Sequence, residues 1–367
     1  MHTIRALLIA GAICRPAWAD INQDIDRFRD RLPEIKVKET VVNVSPKMRF
    51  YLPSGSVDLS LRQEFEKMMM DFSSRYDFVD NSMGFNLEFL YNTALPVSFG
   101  VDLNDRVDFN ALFANSQYLQ RSQSMTPYVQ YALGKYARVR SGLKFENTFT
   151  DSLSNQLRLD QGRNIVGEIG ISRNTLQEVA AYPLGGNESL TLAHSFKNLG
   201  SDYSYTQAEL NARRFFYFWS RHSVEYQLQA GFPIETENRP LSSVYYAGGY
   251  RLLRGYDYKE FRGDALISNS FMYHVPIVEC PPEKVLGIPF SIVTLNFFVD
   301  SAKIGGRDIY DSFQGFKFSA GMGIGYRVVL LDRFPLQLEL STAKAFDSRS
   351  PQFYFTLSTI YYTWKNE

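Results

Sequence analysis

Residues 137–149 read ARVRSGLKFENTF. Ala137, Val139, Leu143, Phe145 and Phe149 fall on one side of an extended chain. Arg138, Arg140, Lys144, Glu146 and Thr148 fall on the other. Period-two alternation means a strand with one apolar and one polar face. The same pattern recurs at Val224, Tyr226, Leu228, Ala230 and Phe232 against Ser223, Glu225, Gln227 and Gln229. It recurs again at Phe85, Leu87, Phe89 and Tyr91 against Gly84, Asn86 and Glu88. A soluble sandwich alternates too, but its strands run about five to six residues. Several segments here alternate for about ten or more, the length that a tilted membrane strand needs.

The rest of the chain agrees. No stretch approaches the roughly 18 apolar residues of a membrane helix, yet 29 Phe, 23 Tyr and 3 Trp are present. Such a Tyr-rich, moderately hydrophobic composition fits aromatic girdles at the two rims of a barrel. The connections look unequal: Gly134-Lys135 and Trp219-Ser220-Arg221 are short, while 150–163 and 233–262 are long and polar. Five strands are expected after residue 262, at about 265–275, 290–300, 315–330, 335–344 and 353–364. About nine lie between 57 and 232, and two more near 36–56 or 107–120. The expected fold is an all-β, transmembrane antiparallel β-barrel of sixteen strands, fourteen being the other even count considered.

The N-terminus reads as an export signal. Arg5 precedes the apolar run Ala6–Cys14, and Ala17-Trp18-Ala19 offers small residues for cleavage before Asp20. Ile13 before Cys14 argues against a lipoprotein. The expected organisation is a signal peptide at 1–19, an N-terminal segment at 20–56 with a short helix and possible first strands, and a barrel at 57–367 with an internal loop at 233–262. In 20–35, Ile21, Ile25, Phe28 and Leu32 recur at helical spacing ahead of Pro33. This amphipathic segment is expected in the periplasm, at the membrane surface or inside the barrel; a floppy terminus is the other reading. Two of the 39 basic residues, Arg5 and Arg15, fall in the signal and no acid does, leaving a formal charge of −2. Such a balance gives no footprint for nucleic acid. Cys280 is then a lone thiol, so no internal disulfide is expected.

The stretch Gly248-Gly249-Tyr250-Arg251-Leu252-Leu253-Arg254-Gly255-Tyr256 resembles the sixth extracellular loop of the BamA/TpsB outer-membrane barrel superfamily. That loop carries a GG…RGY/F signature and folds back into the lumen between the eleventh and twelfth of sixteen strands. Further segments resemble the family in order: Gly263-Asp264-Ala265-Leu266 ending at His274-Val275-Pro276, then Phe298-Val299-Asp300 against its F-x-D-x-G. The glycine-rich run Gly321-Met322-Gly323-Ile324-Gly325-Tyr326-Arg327 follows, and Tyr362-x-Trp364 resembles the C-terminal aromatic pair read by the assembly machinery. The resemblance covers 248–364 closely and the first half of the barrel only in general character.

The resemblance implies that Arg254 pairs inside the barrel with Asp300, Gly255 allowing a tight turn. Alternation in 290–300 separately puts Ile292, Thr294, Asn296, Phe298 and Asp300 on the lumenal face, and the same count puts Arg327 there with Lys317 and Ser319. Three departures bear on the anchor: Ala302 stands where the family has Gly, Met272 where many relatives carry an acid, and His274 where they often carry Arg. The POTRA domains that precede the barrel in BamA and TpsB are not recognisable, so the chain reads as a short member lacking them.

A catalytic reading finds little support. His194 and Ser195 are adjacent in an alternating strand, so their side chains face opposite ways and cannot pair as base and nucleophile. His194 is expected at the rim or in the lumen. No His, Cys and carboxylate spacing resembles a metal site, and the acids between Asp151 and Asp160 read as a solvated loop. Gly321, Gly323 and Gly325 read as strand glycines that relieve crowding. No cofactor is expected. The expected role is non-catalytic insertion or translocation of outer-membrane protein or lipid; a passive or gated pore, or a structural homo-oligomer, is the alternative. Expected partners are outer-membrane lipid, the barrel-assembly machinery during biogenesis and an unidentified client.

Overall fold

The computed structural model describes residues 42–359 except 46–48, 53–55, 65–66, 78–81, 94, 112–116, 153–157, 180–181, 219–221, 251, 258, 280–283, 286–287, 307–314, 331–333 and 348–349. The expected signal peptide, the amphipathic segment at 20–35, Cys280, Tyr362 and Trp364 lie outside the described residues, as does the side chain of Arg327.

The chain is a meander of antiparallel strands. It begins with β1 (Val42–Ser45), β2 (Arg49–Leu52), β3 (Ser56–Glu64), β4 (Met68–Asp77), β5 (Ser82–Asn92) and β6 (Val97–Ala111). It continues with β7 (Gln117–Ala132), β8 (Ala137–Ser152), β9 (Arg158–Asn174), the short β10 (Gln177–Val179), β11 (Tyr182–Ser195), β12 (Ser204–Phe218) and β13 (His222–Asn238). A hairpin of β14 (Tyr245–Ala247) and β15 (Phe261–Gly263) interrupts the meander. The last part holds β16 (Ala265–Glu279), the short β17 (Lys284–Val285), β18 (Ile288–Gly305), β19 (Lys317–Leu330), β20 (Phe334–Ala345) and β21 (Gln352–Thr359). Among the described residues, fifteen strands have eight residues or more.

Every long strand pairs with the next along the chain. The first and last differ. β1 pairs with β3 over four residues, Val42 to Ser45 against Gln63 to Ser60. β2 pairs with β21 over four, Arg49 to Leu52 against Ser358 to Phe355. The long connections are also fewer than alternation suggested. β8 runs to Ser152 and β9 starts at Arg158, so most of 150–163 is strand; β13 runs to Asn238, so the internal loop starts near 239 rather than 233. Polar runs read as loops because strands that project beyond hydrocarbon no longer need apolar residues on either face.

The burial pattern is inverted relative to a soluble protein. Asn164, Ser195, Asn296, Asp300 and Ser319 are almost fully buried, whereas Ile169, Ile171, Phe271, Val299, Met322 and Leu340 are exposed. In β18, Asn296 and Asp300 are 2% and 1% exposed while Phe297 and Val299 are 38% and 47%. Exposed greasy faces fit lipid, and buried polar faces a lumen. β19 alternates likewise, with Phe318, Met322 and Ile324 outward and Ser319 inward; this places the Arg327 backbone position on the lumenal side. His194 shares the exposed face of Leu190 and Leu192, so it belongs to the outer rim and the lumenal alternative is wrong. Its Nδ1 lies 2.8 Å from Thr206 Oγ1, while Ser195 points inward.

Phe297→Arg should cost about 2–4 kcal/mol if the residue sits near mid-bilayer, read as a lower urea midpoint for unfolding from vesicles. An unchanged midpoint would contradict the outward face.

Candidate functional site

After β13 the chain turns into the lumen, runs along the hairpin of β14 and β15, and returns to β16. Tyr245, Ala247, Leu253, Tyr256, Leu266, Ala302 and Ala345 form its apolar contact with the wall. Ala302, in place of the family's glycine, is part of that contact.

The loop tip is fixed by Arg254. Its Nε donates to Asp300 Oδ2 and its Nη2 to Asp300 Oδ1, both at 2.7 Å. Its backbone N–H donates to Oδ2 at 3.1 Å. The Ser270 hydroxyl donates to Oδ1 at 2.6 Å and accepts from Arg254 Nη2 at 3.0 Å. A carboxylate offers about four lone-pair sites, and the four donors use them. The guanidinium carbon stands 3.4 Å from the centroid of the Phe298 ring, a close cation–π contact. Burial works against the charge on Arg254; Asp300 more than offsets it, so its pKa is raised.

Local backbone chemistry makes this possible. Gly255 has φ of 88°, and a Cβ there would meet the Ala345 backbone nitrogen at 2.8 Å. Only glycine fits that approach without strain. Gly248 and Gly249 also take positive φ where the chain reverses. A Cβ at Gly321 would meet the Phe298 ring at 2.3 Å. The glycine-rich strand thus lets Phe298 lie flat beneath Arg254.

The tip touches the last strands directly. The Gly255 N–H donates to Tyr354 Oη on β21 at 2.8 Å. Gln352 Nε2 donates to Asp257 Oδ1 at 2.8 Å. The Tyr250 hydroxyl donates to Glu339 Oε2 on β20 at 3.2 Å, and Tyr256 Oη donates to the Phe318 carbonyl on β19 at 3.4 Å. Of the sequence candidates, Gly248, Gly249, Arg254, Gly255, Tyr256 and Asp300 therefore meet in one place. Arg327 does not join them: its backbone pairs with Ile292 and Gln337, far along β19. Met272 packs against Phe298, Ala343 and Tyr354, so that position adds no charge. His274 lines the lumen with Nδ1 2.9 Å from Asn296 Oδ1.

Sequence reasoning missed Ser270, Tyr354, Glu339 and Arg239. Ser270 had a signal, since it faces the same way as Asp300 and is its register partner. Arg239 had none. Its side chain is 4% exposed and ties the two stems of the loop. Nη1 donates to the Asp264 carbonyl at 2.7 Å, Nε to Ser243 Oγ at 2.8 Å, and Nη2 to Gln207 Oε1 at 3.0 Å and to the Ser243 carbonyl. Among the described residues, no group of His, Cys, Asp and Glu could hold a metal ion.

Arg254→Ala or Asp300→Ala should each destabilise the fold by about 3–5 kcal/mol, because the partner is left buried and charged. The double variant should cost clearly less than the sum. Urea unfolding of all three in lipid measures this; strict additivity would mean that the two groups are not coupled.

Residues 44–361 match the Omp85 superfamily domain. The crystal structure of BamA from Haemophilus ducreyi lacking POTRA domains 1–3 superposes with a TM-score of 0.69 at 16% identity, over 88% of this chain and 71% of that one. CdiB from Acinetobacter baumannii gives 0.60 at 13% identity, over 88% and 60%. CdiB from Escherichia coli gives 0.58 at 9% identity, over 92% and 71%. At these identities the likeness is one of fold. No curated protein matches the chain. With the family domain spanning nearly all of the described residues, the chain belongs to the Omp85 superfamily of outer-membrane β-barrels.

Proposed function

We propose that this barrel inserts or translocates protein or lipid at the outer membrane without catalysis, by opening between its first and last strands. The observation that carries the reading is the place where the anchored loop rests, against the last three strands and beside the pairing of the first with the last. Among the described residues β2 and β21 pair from Arg49 to Leu52 against Ser358 to Phe355. There the meander meets its own beginning, so this seam is the natural place for the wall to part or for a client strand to add. The anchored tip braces β19, β20 and β21 on the lumenal side. The Arg254–Asp300 pair would then hold the wall in register beside an opening that must stay labile.

A second reading, a gated pore, has one specific observation in its favour. Away from the loop, β6 to β11 enclose a lumenal cavity of about 520 Å³ lined by Asp102, Gln120, Arg140, Lys144, Glu146 and Glu168 among others. Conductance in planar bilayers that rises on deletion of 248–262 would favour it.

Tyr51 and Thr356 are register partners across the seam. A Tyr51→Cys/Thr356→Cys disulfide should abolish insertion of a β-barrel client into proteoliposomes, and reductant should restore it. Full activity of the oxidised form would overturn the lateral-opening reading.

A further inference from the structure

On the outer wall, away from the loop anchor and the seam, a groove of about 740 Å³ crosses β4 to β9. Its apolar lining includes Phe72, Phe85, Leu103, Met125, Phe145 and Ile165. Leu103, Met125, Phe145 and Ile165 are register partners in one line across four strands. Across β6 to β9 the next outward line toward the loop end is polar, with Asp105, Gln123, Asn147 and Arg163 again directly opposed, while on β5 Phe85, the partner of Asp105, closes the apolar side. A polar line of that length has no satisfaction among acyl chains, so it lies at headgroup depth.

Within that line the charges are unequally available. Arg121 holds Asp105 through two hydrogen bonds, at 3.2 and 2.8 Å, and Gln123 adds a third at 3.0 Å. Asp202, the acid next to Arg163, accepts the Arg163 backbone N–H at 2.7 Å. The exposed Arg163 guanidinium and Asn147 amide have no side-chain partner among the described residues. One uncommitted cation and one uncommitted amide thus stand at the mouth of an apolar groove. Both neighbouring carboxylates are already engaged.

We infer that this groove is a binding site for a phosphorylated, multiply acylated sugar lipid of the outer leaflet. The acyl chains lie across the apolar line, the phosphate meets Arg163, and Asn147 donates to the sugar or phosphate. Guanidinium suits phosphate because it donates two parallel bonds. The leaflet follows from position: Asn238 at the loop stem donates to the Asp202 carbonyl, so Arg163 sits at the loop end, which is the outer side in the family. The width favours many chains over two. Six strands about 4.8 Å apart span about 24 Å, room for about five chains side by side at a similar spacing, whereas the two chains of a phospholipid would fill less than half. The inference is independent of whether the barrel inserts clients or conducts.

The full chain in phosphatidylethanolamine nanodiscs doped with hexa-acyl, diphosphorylated lipid A provides the test, with bound lipid read by native mass spectrometry. Wild type should retain lipid A. Arg163→Glu should lower occupancy about fivefold, equivalent to about 1 kcal/mol, Arg163→Lys should keep most of it, and dephosphorylated lipid A should bind as weakly to wild type as the intact lipid does to the Glu variant. Arg173→Glu, an exposed arginine at the other end of β9, should leave occupancy unchanged. Arg163→Gln replaces the reversal should the Glu variant assemble poorly. Equal occupancy for wild type and both Arg163 variants would overturn the site, as would equal displacement by phosphatidylglycerol at the same concentration.

Discussion

A guanidinium and a carboxylate, both nearly removed from solvent, hold a loop inside the barrel, and most of the functional geometry follows from that pair. Arg254 and Asp300 are not a net source of stability in themselves; a buried ion pair roughly trades desolvation against attraction. What they supply is direction. Two parallel bonds, a backbone N–H and the Ser270 hydroxyl fix the carboxylate from four sides. The Phe298 ring fixes the guanidinium plane from below. From this point the tip reaches Tyr354, Gln352 and Glu339 on the last two strands.

The second constraint is hydrocarbon. Backbone groups there must pair with other strands, and each long strand pairs with the next along the chain. The first and last strands meet where β2 pairs with β21. The anchored loop stands on the lumenal side of the strands that border this meeting, and Arg239 independently secures the base of the loop.

Much of this was legible in the residues. Period-two alternation in 137–149, 223–232 and 290–300 gave strand, face and membrane together, since Phe145, Phe232, Phe297 and Val299 are exposed on the apolar faces and Glu146, Glu225, Asn296 and Asp300 buried on the polar ones. Asp300 could be placed in the lumen from its neighbours Phe297 and Val299 alone. The partner could not be placed that way: nothing in composition or period ties Arg254 to Asp300, 46 residues on, and only the family resemblance joined them. Ser270 and Tyr354 escaped because their roles depend on register, which a single sequence leaves open by two residues at a time. The strands were longer than expected for a related reason. Beyond the bilayer the outward face needs no apolar residues, so 150–163 loses its alternation while the ladder continues to Ser152 and resumes at Arg158.

Amide hydrogen exchange of the chain in nanodiscs, comparing wild type with Arg254→Ala, probes the link between anchor and seam most directly. If the loop braces the last strands, exchange in β20 and β21 accelerates about tenfold or more, equivalent to about 1.4 kcal/mol of local stability, while β8 and β9 stay as protected as before. Unchanged protection in β20 and β21, or an equal loss throughout the barrel, would contradict it.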